Sequence, residues 1–175
     1  MSRGFIVGLM ARAILPITFT FTYSQAACAD TFEAKVVSVS DGDTVTVLHN
    51  GAKEKVILFG ADCPEMAQEF GPEARQFTDN CCYQKIVKVD DRGRDDHGRT
   101  IAVITLGDGT NLNRELVARG LAWWSDKYAP NESDLKKLFL AAKSEHRGLW
   151  LSPNPIPPWI FRNGQRSTQA VVVPK

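Results

Sequence analysis

Apolar and polar residues alternate along two early segments of the chain, and a third segment is almost continuously apolar. Period-two alternation is typical of strands with one buried face, whereas a continuous apolar run favours a central strand. Two further apolar runs lie on either side of the polar loop "RGRDDHGR". The predicted strands are "TFEAKVVSVS" (31–40), "TVTVLHN" (44–50), "EKVILFG" (54–60), "KIVKVDD" (85–91) and "TIAVITL" (100–106).

Short turns connect the first three predicted strands. "DGDT" (41–44) separates the first from the second, and Asn50-Gly51 separates the second from the third. Asp, Asn and Gly are turn residues for steric reasons, and Asn-Gly is a strong hairpin signal. The three strands are therefore predicted to form an antiparallel meander.

Helical spacing of apolar residues predicts three helices. They are "GPEARQFTDNC" (71–81), "NLNRELVARG" (111–120) and "SDLKKLFLAAKSEHRG" (133–148). Pro72 suits a first helical turn, Ser133 can cap a helix start, and glycine is common just after a helix end. The order of elements predicts an α+β fold, a five-stranded OB-type Greek-key β-barrel with about three α-helices.

The first 29 residues have the pattern of a secretory signal peptide. Arg3 and Arg12 lie around an apolar run, and small residues precede a predicted cleavage after Ala29. Lipoprotein processing before Cys28 is the alternative, although Gln25 does not suit a lipobox. We therefore expect a secreted or periplasmic protein with no stable membrane association, unless it is a lipoprotein.

The remaining chain divides into a folded domain over residues 30–162 and a C-terminal tail over residues 163–175, which we expect to be flexible. A proline-rich segment, "SPNPIPPWIFR", closes the domain. Trp150, Trp159 and Phe161 predict that this segment packs back on the body. We expect a monomer.

Composition and charge limit the function classes. The chain has 175 residues, of which 43% are hydrophobic and 23% are charged, as in an ordinary globular domain. Removal of two positive charges, Arg3 and Arg12, takes the formal net charge from +1 to −1. Since the mature chain is not strongly basic, any nucleic-acid site must be a local patch.

Three cysteines remain after the predicted cleavage: Cys63, Cys81 and Cys82. In an exported protein they allow one disulfide and one free thiol, with the pairing left open. The absence of a CxxC pair argues against a zinc knuckle.

Three polar groups carry candidate chemistry. They are Asp43 in "DGDT", the pair Asp62 and Glu65 in "ADCPE", and Arg99 at the end of "RGRDDHGR". Each alone fits a turn, a strand end or a solvated charge run. Together they could hold a hard cation, take a proton from water and bind a phosphate, which is what phosphodiester cleavage requires.

Four segments resemble the thermonucleases, the staphylococcal-nuclease-like family: "VSVSDGDTVTV", "VILFGADCPE", "HGRTIAVI" and "NLNRELVARGLAWW". Their order and spacing match from about Phe32 to Trp150. The resemblance implies an OB-type barrel with three helices, Ca²⁺ as cofactor, and endonucleolytic cleavage of DNA, RNA or both with 3′-phosphate products.

The resemblance also implies roles for individual residues. Asp43, Asp62 and the backbone carbonyl of Cys63 match the calcium ligands. Glu65 matches the proposed general base. Arg99 matches an arginine that neutralises the phosphate or protonates the leaving oxygen.

A second group of residues is expected around this centre. Asp41 and Thr44 lie beside the metal ligands in the sequence. Lys55, His97 and Tyr128 are candidate substrate-binding residues, and an aromatic ring such as that of Tyr128 could stack on bases.

One position departs from the family pattern. Family members usually carry an arginine five residues before the second metal aspartate, where this chain has Ile57. Lys55 or Arg75 could supply the missing charge, although Lys lacks the bidentate fork of Arg. The expectation is a nuclease with a reduced rate. The alternative is a catalytically weak or inactive OB-fold protein that binds single-stranded nucleic acid.

Overall fold

The computed structural model describes residues 30–170, with side chains described to residue 164. The predicted signal peptide, including Cys28, lies outside the described residues. No helix in the described part of the chain is long and apolar enough to cross a membrane.

Five strands close into a barrel in the order β1-β2-β3-β6-β5, and β5 pairs back onto β1. Two short strands, β4 and β7, form a separate two-stranded sheet. The predicted OB-type barrel and its β1-β2-β3 meander are confirmed. The strands are β1 Thr31–Asp41, β2 Thr44–His49, β3 Ala52–Leu58, β4 Ala61–Asp62, β5 Ile86–Arg94, β6 Thr100–Thr105 and β7 Trp123–Trp124.

The apolar faces of the barrel strands form the core. β3 lies between β2, to which it runs antiparallel, and β6, to which it runs parallel, as expected of a central strand. Its Val56 and Leu58 point inward and are almost fully buried, while the intervening Ile57 is half-buried on the other face. The alternation of side chains along a strand therefore places Ile57 away from the core.

The helices are α1 Gly71–Cys82, α2 Leu112–Ala118, α3 Ser133–Ser144 and α4 Pro158–Ala170, with a short 3-10 helix at Gly148–Leu151. A buried side chain joins α2 to the barrel. Asn113 accepts from the Ile104 N–H at 3.0 Å and donates to the carbonyls of Phe59 at 2.9 Å and Ala102 at 3.1 Å. These bonds satisfy polar groups that burial would otherwise leave unpaired.

The fourth helix corrects the sequence-based division of the chain. Residues 163–170, part of the predicted C-terminal tail, continue α4, so the predicted boundary at residue 162 falls inside a helix, and the flexibility of the tail stays a prediction. The indole of Trp159 meets that of Trp123 edge-on, with ring centroids 5.5 Å apart. Trp123 in turn meets the buried Trp150 at 4.5 Å. The segment therefore packs back on the body, as predicted.

The cysteines within the described residues, Cys63, Cys81 and Cys82, are free thiols. Cys63 and Cys82 are buried, and Cys63 packs beneath the β1–β2 turn.

Gly42 in that turn is predicted to tolerate no side chain. A Cβ at this position would lie 2.7 Å from Ala74 Cβ and 2.7 Å from Cys63 Sγ, both on buried residues. Overpacking of this kind costs roughly 1–3 kcal/mol, so Gly42→Ala should lower the free energy of unfolding by about that amount. Urea denaturation measures it. Gly107→Ala is the matched control, because a Cβ there meets nothing within 4 Å; equal effects of both variants would contradict the packing argument.

Candidate active site

Two loops bring four carboxylates to one edge of the barrel. Asp41 ends β1, and Asp43 follows in the turn before β2; Asp62 ends β4, and Glu65 follows it. The two loops are joined by a hydrogen bond from the Cys63 N–H to Asp43 Oδ2 at 2.7 Å. The structure therefore brings together the acidic residues that the sequence had only suggested as a group.

Asp43 is held in one orientation by the turn around it. The Thr44 hydroxyl donates to Asp43 Oδ1 at 2.8 Å, and the Asp43 carbonyl accepts from the Leu58 N–H at 2.9 Å. Only 9% of Asp43 is exposed. Thr44 is thus a direct partner of the Asp43 carboxylate.

The Asp62 and Glu65 loop is fixed from both ends. Asp62 pairs with Trp123 of β7, and the Glu65 N–H donates to the Gln68 side chain at 2.9 Å. At the start of α1, a Cβ on Gly71 would lie 2.0 Å from the Glu65 carbonyl oxygen, so this close approach of backbones requires glycine.

Burial makes the carboxylates costly to ionise. It raises the pKa of Asp43 to about 7, and the charge of Asp62 adds to the effect, although bonds from Cys63 and Thr44 oppose it. Burial also raises the pKa of Asp62. The pKa of Asp41 is raised by burial and then by the charge of Glu65. A bound cation would relieve this unfavourable concentration of negative charge.

The donor set suits a hard divalent cation. Asp43 and Asp62 offer carboxylate oxygens, which Ca²⁺ and Mg²⁺ prefer. Burial raises the pKa of the Cys63 thiol well above its usual value, and the nearby carboxylate charges add to the effect. In the described part of the chain, no three His, Cys, Asp or Glu side chains converge as a metal site. The predicted ligand set, two carboxylates and one backbone carbonyl, stays a prediction.

Arg162 of α4 lies on the acidic pair, which sequence reasoning missed. Its Nη1 donates to Asp62 Oδ1 at 3.1 Å and to Glu65 Oε1 at 2.7 Å, and its Nη2 donates to Asp62 Oδ2 at 2.9 Å. Burial alone would lower the pKa of Arg162, but its bonds to these two carboxylates raise it overall. No local motif links positions one hundred residues apart; the one available signal was a basic residue inside an apolar segment.

Arg99 lies in a different set of contacts. Its Nε donates to Asp95 Oδ2 at 2.6 Å, and its N–H donates to Asp95 Oδ1 at 2.8 Å. The His97 N–H also donates to Asp95 Oδ1, at 3.0 Å. Among the described residues, neither side chain is hydrogen-bonded to Asp43, Asp62 or Glu65, and the roles predicted for Arg99 and His97 stay predictions.

The other predicted substrate-binding residues, Lys55 and Tyr128, are exposed at the surface. Lys55 is exposed on β3, and its charge opposes the rise that burial and Glu65 cause in the pKa of Asp41. Arg75 donates from Nε to the Val39 carbonyl at 3.1 Å. Tyr128 is 64% exposed, with the Lys127 ammonium 4.9 Å from its ring centroid.

The raised pKa of Asp43 predicts a pH-dependent stability in chelator. Between about pH 4 and pH 7 the folded protein keeps a proton on Asp43 that the unfolded chain has lost, so this group lowers stability as pH rises. Asp43→Asn removes the titration. We expect the unfolding free energy of the variant, relative to wild type, to rise across this window by at most roughly 4 kcal/mol. Urea unfolding in EDTA at several pH values measures it, with the exposed Asp126→Asn as control. A difference independent of pH would contradict the assignment.

Comparisons with known proteins agree with this geometry. Residues 55–152 match the family model described as staphylococcal nuclease homologue. An "uncharacterized endonuclease" of Escherichia coli O157:H7 is 32% identical over 154 residues, covering 88% of this chain and 99% of that protein. An "uncharacterized endonuclease" of Haemophilus influenzae is 34% identical over 86% of this chain and 84% of its own. A "micrococcal nuclease" of Shigella flexneri is 33% identical over 82% of this chain and 87% of its own. The chain therefore belongs to the staphylococcal nuclease family and is, as predicted, an enzyme that hydrolyses phosphodiester bonds.

Proposed function

We propose that this protein is a Ca²⁺-dependent endonuclease, secreted or periplasmic, that cleaves DNA, RNA or both and leaves 3′-phosphate ends. The observation that carries the proposal is the hydrogen-bonded pair of acidic loops, in which the buried Asp43 is near enough to Asp62, and Asp62 to Glu65, for their charges to interact. The names of the relatives, endonuclease and micrococcal nuclease, support the same reaction class.

The residues fit an oxygen-ligated calcium ion. Asp43, Asp62 and the Cys63 carbonyl would hold it. When bound, Ca²⁺ supplies a positive charge that polarises a phosphodiester oxygen and offsets the charge that develops in the transition state.

Glu65 takes a proton from water, and the water oxygen attacks phosphorus in line with the leaving oxygen. The bond from phosphorus to the 5′-oxygen breaks, and the phosphate stays on the 3′ side. Arg99 stabilises or protonates the leaving oxygen, which departs as a 5′-hydroxyl. Its exposed guanidinium can leave Asp95 for the substrate at little cost, because surface ion pairs contribute only about 0–1 kcal/mol.

Exposed residues bind the substrate. Lys55 provides a charge for the backbone of the nucleic acid, and Tyr128 presents an exposed ring on which a base can stack. His97 lies in the same exposed loop as Arg99. Such contacts discriminate little between sequences, so we expect low sequence specificity and a strong dependence of binding on salt.

Cleavage of end-labelled single-stranded DNA and RNA tests this function. We expect products with Ca²⁺, none with chelator, and a rate about 10²- to 10⁴-fold lower for Glu65→Gln, because the variant lacks a general base. The matched control is Glu69→Gln, an exposed glutamate of the same loop.

Three outcomes would contradict parts of the proposal. Equal rates for Glu65→Gln and Glu69→Gln would remove Glu65 from the mechanism. Full activity in chelator would exclude the calcium role. Salt-dependent binding of single strands without products would favour the alternative, a binding protein that has lost the reaction.

A further inference from the structure

Helix α4 is tied to the acidic loops at two points. Trp123 is the strand partner of Asp62, and its indole meets Trp159 of α4 at 5.5 Å. The side chain of Gln68 accepts from the Glu65 N–H and donates to the Ile156 carbonyl at 2.9 Å, just before α4 begins. The position of α4 is therefore set by the same residues that position Asp62 and Glu65.

Trp159 and Arg162 are three residues apart and so lie on the same face of α4. The tryptophan anchors that face against β7, and the arginine consequently extends over Asp62. This arrangement explains how a residue so distant in sequence reaches the site.

The contacts of Arg162 occupy one edge of its guanidinium. Nη1 and Nη2 each donate to one oxygen of Asp62, and Nη1 also donates to Glu65. A guanidinium has five N–H donors, and these bonds use three of them. Among the residues with described side chains, none accepts from Nε or from the second Nη2 hydrogen.

These two remaining donors form the lateral fork of the guanidinium, the geometry that binds a phosphate through two parallel hydrogen bonds. The side chain of Arg162 is 38% exposed, so the fork is accessible to a ligand. Two carboxylates hold the group in place before substrate arrives, which lowers the entropy cost of binding.

We infer that Arg162 is a catalytic residue that binds the scissile phosphate through this fork. The inference rests on the proposed nuclease function and adds a residue beyond position 152, where the match to the family ends. A phosphate approaching four carboxylates needs positive charge beyond the metal, and Arg162 is the arginine that contacts both Asp62 and Glu65 in the described structure.

The inference revises our expectation for Ile57. The sequence suggested Lys55 or Arg75 as the replacement for the missing arginine. In the structure, Arg75 bonds to a backbone carbonyl, and within the described residues the ion pairs of Asp62 and Glu65 are with Arg162 rather than with Lys55. Arg162 instead delivers a guanidinium from the C-terminal helix.

The test compares Arg162→Ala, Arg162→Lys and the control Arg114→Ala, which removes an exposed ion pair with Asp134 between α2 and α3. We expect kcat of Arg162→Ala to fall by about 10²- to 10³-fold, as for loss of one charged transition-state contact. Arg162→Lys should recover part of the rate, since it restores the charge without the fork. Arg114→Ala should stay near wild type.

Two further measurements separate phosphate binding from a structural role. Calorimetric titration with Ca²⁺ should show an affinity no weaker in Arg162→Ala, because a positive charge beside Asp62 has been removed. Added guanidinium ion, at concentrations that leave the protein folded, should restore activity to Arg162→Ala and not to Glu65→Gln. Thermal melts show whether each variant is folded. If Arg162→Ala is unfolded, the kcat of Arg162→Lys is compared with that of wild type instead.

The outcomes are distinguishable from failure of the nuclease function itself. If wild type does not cleave, the proposed function fails. If wild type cleaves and Arg162→Ala matches Arg114→Ala, only the role of Arg162 is overturned. A higher rate in Arg162→Ala at low Ca²⁺ would also overturn it, because it would mean that Arg162 competes with the metal for Asp62.

Discussion

The hydrogen bond from the Cys63 N–H to Asp43 Oδ2, at 2.7 Å, is the contact on which the site depends. It joins a turn between two barrel strands to a loop that leaves the barrel, and it does so with a buried carboxylate. Gly42 packs closely against Cys63, so the two loops are also in steric contact at this junction. Loss of this junction would remove the hydrogen bond that joins the two acidic loops directly.

That junction concentrates negative charge where burial already disfavours it. Asp43 receives hydrogen bonds from Cys63 and Thr44, whereas Asp62 faces the guanidinium of Arg162. The two carboxylates are thus stabilised differently, Asp43 by dipoles and Asp62 by a full charge. Partial compensation of the negative charge allows such an acidic site to stay folded without its metal. Complete compensation would remove the electrostatic attraction for a cation.

Much of the barrel was predictable because its strands show either alternating apolar residues or a nearly continuous apolar run over six or more residues. The grouping of Asp43, Asp62 and Glu65 was suggested by their combined chemistry and implied by the resemblance to the family. Helix α4 was not, because its proline-rich approach and Gly164 disfavour a helix locally. The packing of this segment on the body was predicted from its aromatic residues, but the partner of Trp159, the ring of Trp123, is set by tertiary structure that no local pattern records. Arg162 was missed for the same reason.

The carboxylates and the guanidinium of the site come from different parts of the chain. The β1–β2 turn of the barrel and the loop after β4 contribute the carboxylates, whose positions depend on backbone hydrogen bonds and close packing. The positive charge is the guanidinium of Arg162 on α4, a helix outside the barrel. Ring contacts and a hydrogen bond from the Gln68 side chain hold that helix in place. The long side chain of Arg162 lets its guanidinium meet Asp62 and Glu65 from a helix outside the barrel. An isoleucine at position 57 is then compatible with an active enzyme, and the part of the chain beyond the family match becomes part of the site.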